Sequence, residues 1–293
     1  PLLFCLFCTA CVLFFPSVAA GSIHRSFERF YARLLPALFP MMILSKRLLN
    51  CIPRGKGGVF KRFFRLSDDA FSLFLTGLLC GYPLPAIFSA ELYAQKRLSA
   101  ENAEKCAALF DNASPGFLIT FVGKSILGSV KHGVFLYIAQ TLAVLCAMKI
   151  FSFAPFETVK RTDTGMKTSL TDDIGRAART LVEIAAFTAA FSLFADFLCA
   201  FFSVLHVPLP VAAFGSGLAE ITNGCVLLAD GHVPNRVLYL MLPFLSGLGG
   251  TSVLFQVRAS LPRTLSVRPY IFARMLIASL MTACFAVMTF ISP

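Results

Sequence analysis

The sequence predicts an all-α fold: a polytopic helical membrane protein made of two repeats that contain broken or re-entrant helices. Three observations predict it. Of 293 residues, 57% are apolar and only 14% charged, with a mean hydropathy of +0.77. Soluble domains carry about 25% charged residues, and a core of this size cannot bury so much apolar surface. Windows 1–23, 70–90, 197–219 and 237–257 contain no Asp, Glu, Lys or Arg, and each reaches the roughly 20 residues a helix needs to cross hydrocarbon. Glycine and proline interrupt the apolar segments at corresponding places in the two halves, the sequence signature of a site at a repeat interface.

The elements follow in order. Residues 1–24 read as an N-terminal transmembrane helix. Ser17-Val-Ala-Ala20 has the look of a signal-peptidase site, but no basic stretch precedes it, and the apolar run is longer than a signal peptide's. Ser22 to Arg33 places Arg25, Arg29 and Arg33 at i, i+4 and i+8, the pattern of an amphipathic interfacial helix. Leu34-Leu-Pro-Ala-Leu-Phe-Pro40 follows, expected to cross only as a short or broken segment, or to re-enter. A basic loop at 46–68 leads to the window at 70–90, broken at Gly81-Tyr82-Pro83. Residues 91–111 read as one polar-faced helix with spaced Glu and Lys or Arg. Asp111-Asn-Ala-Ser-Pro-Gly116 breaks the chain again before a regular span at 133–151. A polar linker occupies 154–173, dividing a first repeat (25–153) from a second (174–293). In the second, Thr180 to Leu205 is a long helix ended by Pro208 and Pro210. Broken segments follow at Gly217 to Gly224 and at Gly247 to Ser252, and a last span lies at 270–291.

The net charge of +11 comes from 26 Lys and Arg against 15 Asp and Glu. Basic residues cluster at 46–65 and 160–179, where they mark connections retained on the cytoplasmic side. Without interleaved aromatics on a soluble surface they give no reason to expect a nucleic-acid partner. The ten cysteines lie mainly in apolar stretches, where they act as small hydrophobes. Cys5 and Cys8 have CxxC spacing but no second pair, so no metal and no cofactor is expected. No GxSxG, HExxH, P-loop or dinucleotide fingerprint occurs, so the chain is not expected to be an enzyme.

Charges inside hydrocarbon demand a reason, because each costs roughly 2.5 to 3.5 kcal/mol on insertion scales. Glu220 stands between Gly217 and Gly224, with 23 uncharged residues before it and nine after. It reads as a proton or cation site, as an acceptor for solute, or as the partner of a structural Lys or Arg. Asn112 and Ser114-Pro115 suit a helix N-terminus, with or without a ligand contact. Ser252 follows Gly249-Gly250, and Gln256 lies one turn on along the same face; this is either a site or close packing of small residues. Glu183 and Asp196 lie about 20 Å apart along a helix and cannot act as a dyad. Glu183 reads as a surface pair near Arg176 and Arg179. Asp111, Asp196 and Glu91 are secondary candidates.

At Leu34 to Pro40, Gly81-Tyr82-Pro83, Asn112 to Phe117, Gly217 to Gly224 and Gly247 to Gln256, the sequence resembles the YlbJ family of sporulation integral membrane proteins. That family has nucleoside-recognition, gate-type domains similar to those of concentrative nucleoside transporters. Pro85 and Ala113 depart from its usual pattern. The resemblance implies a bacterial cytoplasmic-membrane protein, in the mother-cell or forespore membrane, that moves dipicolinic acid during spore formation. It also implies that Gly81, Tyr82, Pro83, Asn112, Ser114, Pro115, Glu220, Thr222, Ser252 and Gln256 line or shape a solute site, with Glu220 coupling a proton or sodium ion. The expected partners are the lipid bilayer and a small solute. The alternatives are a scaffold for spore-envelope assembly that transports nothing, and a nucleoside-type transporter.

Overall fold

The computed structural model describes residues 6, 9–10, 12–51, 57–152 and 169–291. Among them the chain is mostly helical, without strands. Four helical stretches are long and apolar enough to cross a membrane: Val130–Phe151, Leu170–Val204, Asn235–Ser260 and Arg268–Phe290. The protein is an integral membrane protein.

Helix α1 is Pro16–Arg29, with Pro16 in its first turn, where a missing N–H costs nothing. It runs through a π-helical turn, Phe30–Leu34, into α2, Leu35–Cys51. The expected break at 34–45 does not form. Pro36 and Pro40 each remove a backbone donor, and the π turn immediately upstream absorbs that disturbance without ending the helix. The stripe of Arg25 and Arg29 also reaches other helices, although the Arg25 side chain stays half exposed. Arg25 meets Asp196 at 2.9 Å, and Arg29 donates to Asn223 Oδ1. The boundary expected at residue 24 falls inside α1, residues 1–5, 7, 8 and 11 of the proposed first span lie outside the described residues, and so does 154–168 of the linker.

After α3, Gly58–Phe64, come α4 (Asp68–Cys80), capped by Ser67, and α5 (Leu84–Ala94). The single helix expected over 91–111 is two. A turn at Gln95–Ser99, with Lys96 at φ 55°, separates α5 from α6 (Ala100–Phe110), and Ser99 caps the new start. The π-helical segment Gly116–Ile126 and α7 (Val130–Phe151) complete the first half. Helix α8, Leu170–Val204, opens with a reciprocal capping box between Ser169 and Asp172. Then follow α9 (Leu209–Ala219), α10 (Ile221–Asp230), α11 (Asn235–Leu248), α12 (Gly250–Ser260) and α13 (Arg268–Ile291).

The same order therefore occurs twice: a broken pair, a second broken pair, then an uninterrupted helix. In each half the two breaks cross. Tyr82 N donates to the Asn112 carbonyl at 2.8 Å in the first, and Thr251 Oγ1 to the Ala219 carbonyl at 3.1 Å in the second. The uninterrupted helices α7 and α13 pack on each other, and α13 also packs on α11. Exposed side chains such as Val182, Ile150 and Phe290 face outward, as lipid contact requires.

The arms of α9 and α10 touch backbone to backbone. A Cβ on Gly224 would lie 2.3 Å from the Gly217 Cα, closer than side-chain atoms ever come, so only glycine fits. Gly224→Ala is expected to destabilise the protein by about 1 to 3 kcal/mol, the usual cost of overpacking, seen as a lower thermal midpoint in detergent. An unchanged midpoint would show that the arms separate at no cost.

Candidate functional site

Glu220 sits in the gap between α9 and α10 with extended backbone, φ −142° and ψ 115°. Its carboxylate caps α10, accepting from Asn223 N at 2.9 Å and from the Thr222 hydroxyl. The sequence Ala-Glu-Ile-Thr-Asn breaks here because a carboxylate can satisfy the orphan donors of a new helix start. Beside it, Asn223 joins a charged network. Its side chain accepts from Arg29 and donates to the Ser192 carbonyl and to Asp196 Oδ1, both at 3.3 Å. Asp196 is thus a partner of α1 and does not line the cavity described next.

A cavity of about 420 Å³ lies where the crossed breaks meet, within the usual size range for small-molecule sites. Seven of the ten expected residues line it: Gly81, Tyr82, Ser114, Glu220, Thr222, Ser252 and Gln256. Ile184 and Thr188 also line it, near the middle of α8. The aromatic wall is Tyr82, Phe117 and Phe121, with ring centroids 6.3 Å and 5.2 Å apart in succession. Glu220 is the charged residue in the lining; no Lys or Arg stands there among the described residues. The Tyr82 hydroxyl is buried and has no hydrogen-bond partner among the described residues. Buried polar atoms are nearly always paired in folded proteins, which makes this hydroxyl an exception beside the cavity.

Three helix starts face this space. Ser114 Oγ accepts from Phe117 N at 3.2 Å, capping the π-helical segment with Pro115 in its first turn. Glu220 caps α10, and α12 begins after Gly249, at φ 83°, without a side-chain cap. Gln256 donates to Ser252 Oγ at 3.3 Å, one helical turn away as the spacing implied. Gly81 lies so close to the Ser114 backbone that an added Cβ would sit 2.8 Å from its nitrogen.

Pro83, Asn112 and Pro115 are not in the cavity lining. Pro83 follows a cis Tyr82–Pro83 bond and borders a neighbouring cavity. Asn112 is turned away by a residue that sequence reading passed over. Arg274 is fully buried on α13 and donates to the Asp111 carbonyl at 2.7 Å and to Asn112 Oδ1 at 2.8 Å. Its signal was available, since it is a lone arginine inside an apolar span that was read as uninterrupted. Gln140 of α7 completes the frame, accepting from Ala113 N at 3.1 Å and donating to Ala113 O at 2.9 Å. The expected surface pairing of Glu183 is also corrected. Arg176 instead lies 3.6 Å from Glu91 and 3.9 Å from Asp173, because α5 brings Glu91 to that side of α8. Among the described residues no group of His, Cys, Asp or Glu is arranged to hold a metal.

The sequence is 24% identical, over an alignment of 318 residues, to the sporulation integral membrane protein YlbJ of Bacillus subtilis (strain 168). The alignment covers 93% of this chain and 78% of that protein. The chain is similar to YlbJ over nearly its whole length. No family model matches it, and no solved structure does. Coverage of nearly the whole chain means that the YlbJ likeness takes in both sets of crossed breaks and the cavity between them.

Proposed function

We propose that this protein moves a small, planar, polar solute across the membrane together with a proton or small cation held at Glu220. No chemical change to the solute is involved. One observation carries the reading: a cavity of about 420 Å³ at the middle of α8, bounded by helix breaks and lined by one carboxylate, hydroxyls and an aromatic wall. Broken helices that expose backbone ends around a central site are the recurring device of secondary transporters. The aromatic wall suits a flat ring. The uncapped start of α12 and the hydroxyls of Tyr82 and Ser252 suit carboxyl or carbonyl oxygens. Relation to a sporulation membrane protein makes dipicolinate the leading solute. Its two carboxylates would face Glu220 with no basic side chain in the lining, so its charge must be offset by a proton or cation carried along.

The test is uptake into vesicles containing the purified protein, with labelled dipicolinate and, as comparison, a nucleoside. Uptake of dipicolinate is expected to rise with an inward proton or sodium gradient. Tyr82→Phe and Gln256→Leu are each expected to lower it by about threefold to tenfold, the effect of one lost hydrogen bond to solute. Preferred uptake of the nucleoside would change the solute and keep the site. Uptake of neither, in a folded protein, would overturn the reading.

A further inference from the structure

The central cavity does not stand alone. A second cavity of about 180 Å³ shares Ile184 and Gln256 with it and adds Thr180, Glu183 and Pro83. A third, about 30 Å³, shares Ile87 and Thr180 with the second and is bordered by Glu91, Asp173 and Arg176. The three are strung along one face of α8. Asp173, Arg176, Thr180, Ile184 and Thr188 recur at three- and four-residue steps and span about 22 Å by the 1.5 Å rise of the helix. Faces of α5, through Ile87 and Glu91, and of α12, through Gln256 and Ala259, form the other walls.

The charges along this line have one sign once its outer end is passed. At that end Arg176 lies between Glu91 and Asp173, and Arg47 approaches Asp173 at 3.5 Å. The Asp173 side chain is only 2% exposed, and neither of its oxygens has a hydrogen-bond partner among the described residues. Inward of this cluster the charged groups in the cavity linings are Glu183, an exposed residue that makes no ion pair among the described residues although Arg179 lies one turn before it, and then Glu220. Carboxylates lining a narrow space raise the local concentration of cations and exclude anions. The outer end belongs to the side of α8 that follows the basic stretch Lys160, Arg161 and Lys167, the side such stretches keep in the cytoplasm.

We propose that this string of cavities is a cation-selective route from the basic face of the protein to Glu220, closed at its mouth by the Glu91–Arg176–Asp173 cluster. The proposal rests on the reading of Glu220 as the group that takes the coupling proton or cation. The solute itself need not travel this way. Glu183 is the selectivity residue, Gln256 the polar group at the inner constriction, and Arg176 the group whose displacement opens the mouth.

Single cysteines at Thr180 and Ile184 test it, with Val182→Cys, on the 70% exposed outer face of α8, as the control. The full-length protein in sealed vesicles of known orientation is treated with two membrane-impermeant methanethiosulfonates, one carrying trimethylammonium and one sulfonate. Each rate is normalised to that reagent's reaction with a free small thiol, and labelling of the parent's own cysteines is subtracted. From the basic face, the cationic reagent is expected to modify Thr180→Cys and Ile184→Cys about tenfold faster than the anionic one, the effect of roughly one nearby carboxylate in a poorly screened space. Adding Glu183→Gln is expected to bring that ratio close to one, and adding Arg176→Ala to raise the rate at Ile184→Cys. Rates no greater than at Val182→Cys, modification only from the opposite face, or equal rates for the two charges would each overturn the route. Labelling does not depend on any solute. Failure of uptake with this labelling pattern intact would therefore count against the proposed function and not against the route, and the reverse result would do the opposite.

Discussion

Arg274→Met is expected to destabilise the protein by about 3 kcal/mol and to abolish solute uptake. The guanidinium is fully buried, with Tyr270 beneath it at 5.8 Å, and its two short bonds hold the Asp111 carbonyl and Asn112 Oδ1. Removing it leaves two acceptors without donors in an apolar surround, each costing about 1 to 3 kcal/mol, and breaking a buried charged contact generally costs about 3 to 5 kcal/mol. Lysine restores the charge but cannot span both acceptors with a planar fork, so Arg274→Lys should recover roughly half of the loss. Thermal unfolding in detergent, followed by helical circular dichroism, measures both. A midpoint for Arg274→Met equal to the parent's would mean that the break between α6 and the π-helical segment holds itself, and that the arginine is incidental.

Glu220 gives the second large effect, and two substitutions divide its roles. Glutamine keeps an oxygen to accept from Asn223 N and Thr222 but loses the charge. Glu220→Gln is therefore expected to fold normally, while uptake falls at least about tenfold and no longer responds to the proton or sodium gradient. Alanine loses the cap as well, which adds about 1 kcal/mol of instability. Uptake by Glu220→Gln that keeps the parent's dependence on the gradient would assign Glu220 to capping alone and move the coupling ion elsewhere.

Much of the membrane architecture could be read from composition, because apolar windows are a bulk property that tertiary contacts cannot hide. The breaks at Gly81-Tyr82-Pro83 and at Glu220, the cap at Ser114 and the Ser252–Gln256 pair were likewise visible in local residue types. The readings that missed were those that depended on a distant neighbour. Pro36 and Pro40 suggested a broken segment because the π turn that accommodates them has no residue signature of its own. The partners of Arg25 and Arg29 could not be read because nothing local announces Asp196 and Asn223, some 170 to 195 residues on. Asn112 and Arg274 illustrate the same point from both ends: each looked out of place alone, and only the packing of α13 on α6 makes them a pair.

Gln140 shows that the two crossings, alike in outline, are braced differently. In the first half, the amide of Gln140 grips Ala113 on both its backbone groups while Arg274 grips the two residues before it. In the second, among the described residues, the bond across the crossing is the one from Thr251 to the Ala219 carbonyl. The Asp111–Ser114 joint is held by Gln140 and Arg274 from the two uninterrupted helices, whereas the joint at Glu220 is tied through Asn223 to Arg29 and Asp196, so the carboxylate of the central cavity belongs to the joint linked to α1 and α8.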